Sequence, residues 1–161
     1  MAIPENAQYI WSAYSTAQGG IDEARFYEAF SFGDSDAMAD ELGQLVLAGV
    51  KRATAGSVWS YESSGKAIPK RGDLSVVMDS KGRALCIIET MQVDVMAFDQ
   101  VCAEFAATEG EGDGSLAYWR EAHLAYFTRE CERSGRNFSS SMAIACERFK
   151  VVYAPPAPSA A

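Results

Sequence analysis

The sequence predicts an α+β domain whose sheet is largely antiparallel or closed into a small barrel. Four or more strand-like runs lie among helical ones, without the regular alternation that a parallel βαβ sheet requires. Two segments have clean helical periodicity and stop at a glycine. The chain has 161 residues, 48% of them hydrophobic and 22% charged, the size and composition of one ordinary globular domain.

Residues 5–18 read as a helix with Tyr9, Ile10, Ala13 and Tyr14 toward one face, stopped by Gly19-Gly20. Ile21 to Phe30 reads as a second, short helical run with Ile21, Phe26, Tyr27 and Phe30 as its apolar stripe. Gly33-Asp34-Ser35-Asp36 supplies a turn and an N-cap for a helix carrying Met38, Leu42, Leu45 and Val46, spaced i, i+4, i+7 and i+8. Gly49 is its expected stop, since glycine enters the left-handed region without steric penalty. Ser57 to Tyr61 alternates like a short strand. Asp73–Asp79 and Arg83–Val95, joined by Ser80-Lys81-Gly82, read as a hairpin. Residues 98–107 suit a short helix, and the glycine- and acid-rich stretch 108–114 reads as an irregular loop. Ser115 to Ser134 is a long helix with Leu116, Trp119, His123, Tyr126 and Phe127 on one face and Gly135 as its stop. Ala143 to Val152 is a last strand, and 154–161 is a Pro/Ala-rich tail expected to be disordered.

Several functional classes recede on composition. No apolar run reaches the ~20 residues of a membrane-spanning helix, and the N-terminus lacks a basic region followed by an apolar one, so a cytoplasmic protein is expected. Cys86, Cys102, Cys131 and Cys146 form no C-x-x-C pair and read as reduced, structural thiols. The net charge of −8 argues against nucleic acid, because phosphate binding is mainly cationic. Its distribution softens that objection. Residues 49–90 hold seven basic and four acidic side chains, and 115–161 hold six and four, around an acidic stretch at 91–114. Folding could join the two basic segments into a groove, or the charges could simply balance on a solvated surface.

The richest stretch is Gly49-Val50-Lys51-Arg52-Ala53-Thr54, followed by Lys66, Lys70 and Arg71. A lysine whose pKa is lowered by a neighbouring cation can activate a hydroxyl three residues away. Lys51 and Arg52 equally suit the negative end of the preceding helix. Glu109, Glu111 and Asp113 offer acid/base groups or ligands for Mn²⁺ or Mg²⁺, or form a solvated linker with Asp113 as N-cap. His123, the single histidine, lies on an apolar helix face, where a packed, hydrogen-bonded ring is expected, and a histidine-rich metal site is excluded by count. Glu89 interrupts an apolar strand run and either faces outward or is an inward carboxylate with raised pKa.

The ordered set of Phe30-Ser31-Phe32-Gly33-Asp34, Gly49–Ala55, Gly72-Asp73-Leu74, Ile88-Glu89-Thr90, Glu109–Asp113, Tyr118–His123 and Cys146-Glu147-Arg148-Phe149 resembles the ASCH domain family, whose signature is a G-x-K-x-x-T run. The resemblance spans roughly residues 25–153. It implies a PUA-like small mixed or antiparallel β-barrel flanked by helices, filling 1–153 as a single domain with 1–30 as an N-terminal helical extension that covers the cleft or builds a homodimer interface. It further implies a cleft for RNA or a nucleoside or nucleotide ligand. In an amidohydrolase branch that deacetylates acetylcytidine, a lysine, a threonine and a glutamate act together. By motif position they fall on Lys51, Thr54 and Glu111, with Glu109 and Glu89 as alternatives for the third. Arg52, Arg120 and His123 become expected cleft residues, Tyr61 and Trp119 expected base-stacking groups, and the acidic loop is expected to close over the signature. Three activities follow. Ribonuclease-like cleavage of single-stranded RNA ranks first, with or without a divalent cation. Amidohydrolysis of an acylated nucleoside with Lys51 as base is second, and non-catalytic RNA binding is third.

Overall fold

The computed structural model describes residues 2–156. Its sheet has five strands: β1 (Phe26–Phe30), β2 (Ala53–Ser57), β3 (Leu74–Met78), β4 (Ala84–Ala97) and β5 (Ala143–Tyr153). They lie in the order β1-β3-β4-β5-β2. β1 runs parallel to β3 and every other pair is antiparallel. The sheet is therefore mixed, as the α+β reading requires. It is not closed into a barrel, because β1 and β2 remain its two edges.

The long β4 is the spine. It pairs with β3 through its first half and with β5 along most of its length. Alternation along the buried strands then sorts the helices between two faces. Val76 and Ile87 meet Ile10, Trp11 and Tyr14 of α1 (Glu5–Ala17). Val77, Cys86 and Ile88 instead meet Leu42 and Val46 of α2 (Asp36–Leu47). Burying each large side chain of α1 is worth about 1.5–3 kcal/mol, so this helix is pinned to the sheet. It covers the face opposite α2. A third cluster seats α4 (Ala103–Glu109) and α5 (Leu116–Arg133) against β2 and β5 through Phe105, Trp119, Phe127, Ile144 and Cys146.

Two expected elements are different in the structure. Phe26–Phe30 is a strand, preceded by a 3₁₀ turn at Glu23–Arg25 that Asp22 caps. Aromatic residues favour strands when a sheet edge is available to pair with, and β3 supplies that edge. The helical part of the expected 1–30 extension is therefore only α1 and this turn. The strand expected at 57–61 lies upstream, at β2. Ser57 caps a new helix, α3 (Val58–Ser64), by accepting the Ser60 amide at 3.1 Å, and Gly65 closes it at φ 67°. Short apolar runs do not distinguish the two states by periodicity.

Among the described residues no helix is long and apolar enough to cross a membrane. The four cysteines are free thiols, three buried and Cys102 exposed. Of the tail, Ala154–Pro156 is irregular and exposed, and 157–161 lies outside the described residues.

Candidate functional site

Lys51 is set in place by the end of α2. Gly49 takes φ 75°, its amide donates to the Val46 carbonyl, and the Val50 and Lys51 amides both donate to Leu45. This is a Schellman closure, and it turns the chain directly into β2. The segment after α4 then crosses the motif. The Arg52 amide donates to the Thr108 carbonyl at 2.9 Å. Gly110 sits at φ 68°, where any Cβ would fall 2.3 Å from the Val50 carbonyl oxygen. The acidic segment thus closes over the signature, as expected.

The Lys51 side chain is buried and each of its three protons has an acceptor. Nζ lies 2.8 Å from the Ala53 carbonyl, 3.0 Å from Glu109 Oε1 and 3.1 Å from Glu111 Oε2. Burial pushes its pKa down, but the two glutamates outweigh burial and raise it. Lys51 is therefore a fixed ammonium. Glu109 is not on a mobile loop, as expected from its glycines, but is the buried last residue of α4. Its second oxygen accepts from Trp119 Nε1 and lies 3.2 Å from His123 Nε2. Burial alone would raise its carboxyl, and Lys51, His123 and Trp119 instead hold it down at about 2. Glu111 goes the other way. Burial raises it, Lys51 offsets only part of that, and Glu109 adds to the rise. The two adjacent carboxyls are thus driven apart, Glu109 toward the carboxylate and Glu111 toward the acid.

His123 is packed, as its helix face predicts. It stacks on Trp119 at 4.1 Å between centroids. Nδ1 lies 2.8 Å from the Trp119 carbonyl and Nε2 faces the Glu109 carboxylate. Both neighbours are acceptors only, so both ring nitrogens carry protons. Burial opposes that charge and Glu109 outweighs it, raising the His123 pKa. Glu109, Glu111 and His123 place ligand atoms within 4.8 Å of one another. Both Glu109 oxygens already have donors, however, and Lys51 binds two of the three groups. A divalent ion would have to displace an ammonium, and Mn²⁺ or Mg²⁺ would gain too few free oxygens in exchange. The cluster fits protons better than it fits those metals. Asp113 lies outside it, exposed, accepting the Ser115 amide, and Ser115 rather than Asp113 is the N-cap of α5.

A cleft of about 190 Å³ opens above this cluster. Thr54, Tyr61, Glu109, Glu111 and His123 line it together with Lys51. The other expected site residues do not. Trp119 is 2% exposed and packs in the core, which rules out base stacking. Arg52 and Arg120 point to solvent outside the cleft lining. Glu89 is half-buried in an ion pair with Arg25 at 3.5 Å, away from the cleft. The basic groove is absent here as well, for the walls carry Glu28, Glu109, Glu111 and Glu147 against Lys51 and His123. α1 does not cover the cleft, since it lies on the sheet's other face.

Sequence reading missed Phe32, Tyr126, Glu28 and Glu147 as lining residues. Glu28 reaches the cleft because a bulge between Phe26 and Glu28 shifts the phase of β1. Glu147 is buried, accepts from Thr90 Oγ1 at 2.6 Å, and is raised to about 7 by burial, with Glu28 and Asp73 adding to it. A carboxylate inside the apolar run Ile144–Phe149 was the available signal, the same one that drew attention to Glu89.

No curated protein matches the chain. The family model of the ASCH domain matches residues 28–153. The ASCH domain of Lactobacillus crispatus JV V101 is 35% identical, the match covering 95% of this chain and 98% of that one, with a TM-score of 0.85. A protein of Enterococcus faecalis V583 is 31% identical over 92% of this chain and 88% of that one, with a TM-score of 0.84. The mixed α+β architecture is shared with these structures, and with the signature lysine and threonine at one cleft the chain belongs to the ASCH domain family.

Proposed function

We propose that the cleft binds one planar, uncharged amide of nucleobase size, such as an acylated nucleoside, and hydrolyses its acyl group. The observation that carries this reading is the state of Lys51. Its three protons are all held internally, so it offers no free donor to a phosphate, and four glutamates line the same walls. A phosphodiester needs the opposite arrangement. An uncharged amide does not. The volume of about 190 Å³ is small beside the ~300–1,000 Å³ of most ligand pockets, and suits one ring with its acyl group. Phe32, Tyr61 and Tyr126 supply aromatic walls for that ring.

In this reading Thr54 Oγ1 attacks the acyl carbon. Glu111, whose raised pKa favours the protonated acid, gives its proton to the departing amine. Lys51 is not the base, contrary to the sequence-based expectation. As an ammonium it has no lone pair to accept a proton, and its role is to anchor Glu109 and Glu111. This order of preference reverses the one reached from sequence, where ribonuclease-like cleavage came first.

The test is incubation with acetylcytidine and, in parallel, with single-stranded RNA, each with and without Mn²⁺. The expected result is release of cytidine and acetate, lost in Thr54→Ala, with RNA intact. RNA cleavage that disappears in Lys51→Ala while acetylcytidine survives would overturn the proposal in favour of a ribonuclease. Salt-sensitive RNA binding without turnover would overturn it in favour of a binding module.

A further inference from the structure

Assigning Thr54 as nucleophile leaves its proton without an acceptor. Lys51 is an ammonium with three acceptors, and Glu111 is committed to Lys51 and to the leaving group. Glu28 is neutralised by Lys66 at 2.8 Å. Glu109 has both oxygens engaged, Oε1 by Lys51 and Oε2 by Trp119 and His123. Of the four cleft glutamates only Glu147 remains, and the sheet register places it.

We propose that Glu147 is the base for Thr54, because the two residues stand directly opposite each other across the β2–β5 ladder and both line the cleft. Directly opposed residues of an antiparallel pair share a face, with Cβ atoms about 4.5–5.5 Å apart, which puts a threonine hydroxyl within reach of a glutamate oxygen. Thr90 on β4 holds Oε2 of Glu147 at 2.6 Å. That bond fixes the carboxyl and leaves Oε1 for the transfer. This inference deepens the proposed function and rests on its choice of nucleophile.

The proton balance closes. Thr54 Oγ1 gives its proton to Glu147 and bonds the acyl carbon. The C–N bond breaks as Glu111 protonates the amine, leaving an acyl-Thr54 ester, a protonated Glu147 and an ionised Glu111. Water then attacks the ester and gives its proton to Glu111. Thr54 Oγ1 departs with the proton held on Glu147. The free acid is released and both carboxyls return to their starting states.

The groups facing Glu147 set when it can act. Burial and the negative charges of Glu28 on β1 and Asp73 before β3 raise it, while Thr90 on β4 and Lys51 ahead of β2 lower it, to about 7 overall. Tyr27 of β1 and Tyr61 of α3 also lie in its field. Both phenols are themselves raised and stay neutral there.

The experiment follows kcat and KM for acetylcytidine against pH in the full chain. It also follows acetylation of Thr54 by p-nitrophenyl acetate, read by mass spectrometry. In the native protein kcat/KM should rise with pH through a limb near 7. Glu147→Gln keeps an acceptor for Thr90, and should lower kcat by about 10²–10⁴-fold with KM little changed and the limb gone. Thr90→Val should move the limb to higher pH, which a merely structural role for Glu147 would not do, and it decides the matter if E147Q does not fold. Native rates in E147Q, or a limb that survives in it, would overturn the proposal while leaving the amidohydrolase reading intact. If acetylcytidine is inert but the aryl ester acetylates Thr54 with a limb that E147Q removes, the substrate reading fails and the base assignment stands. Absence of any acetylation at Thr54 overturns the base assignment too.

Discussion

Replacing Lys51 by methionine keeps most of the side-chain volume and removes the charge together with its three N–H donors. The structure specifies what is lost. Three hydrogen bonds go, to Ala53, Glu109 and Glu111. Glu109, 1% exposed, keeps His123 and Trp119 as partners. Glu111 loses the ammonium that offsets its burial. Removing one partner of a buried ion pair costs about 3–5 kcal/mol, and that range is expected for Lys51→Met at pH 7 in chemical denaturation. The sign of the pH dependence is a second, sharper readout. The Glu111 pKa is already raised in the folded state, so its contribution is most favourable below its unfolded pKa and declines as pH rises through the folded one. Without Lys51 that pKa climbs further. The penalty should therefore be smallest where Glu111 is protonated in both states and grow as pH rises above the ordinary glutamate range. A loss below about 1 kcal/mol, typical of exposed pairs, or one independent of pH, would refute the idea that Lys51 is a buried, fully engaged ammonium.

Three further outcomes follow from the same geometry. Gly110→Ala should destabilise by more than Gly114→Ala in thermal unfolding: both substitutions carry the ~1–3 kcal/mol cost of a disfavoured backbone conformation, but only at Gly110 does the new Cβ also meet a carbonyl oxygen at 2.3 Å. Trp119→Phe keeps the packed ring but removes a donor from the Glu109 carboxylate, which should cost about 1–3 kcal/mol in denaturant, with KM for a planar ligand little changed. The His123 ring should show two protonated nitrogens by ¹⁵N NMR at neutral pH. Its raised pKa means that its stabilising contribution is complete below its unfolded pKa and declines as pH rises through the folded one, so Glu109→Gln should bring the His123 titration to lower pH.

The elements read correctly from sequence are those whose signals are local. α2 with its Gly49 stop, the β3–β4 hairpin, α5 with Gly135 and the last strand are each set by periodicity plus a nearby turn residue. β1 and β2 were misplaced because both are five residues long and lie at sheet edges, where the partner strand decides between helix and strand. Glu109 was misjudged for a related reason. The glycines that follow it suggested a flexible loop, whereas Gly110 is a glycine because the backbone of Val50 leaves no room for a side chain. Trp119 illustrates the converse, for its place on the apolar face of α5 already indicated the core.

By itself the sequence determined the family, the mixed α and β composition, and the pair at the centre of the cleft, Lys51 and Thr54. These follow from residues close together in the chain. Only the tertiary structure decided their chemical states. Whether Lys51 is a base or a fixed cation depends on which carboxylates surround it, and those arrive from the end of α4 and the turn after it. Whether Thr54 has a carboxyl opposite it depends on the register of β2 against β5, two strands remote in sequence. Burial and charge act through space over a few ångströms, so the protonation preferences of Lys51, Glu109, Glu111 and Glu147 are properties of the packed fold.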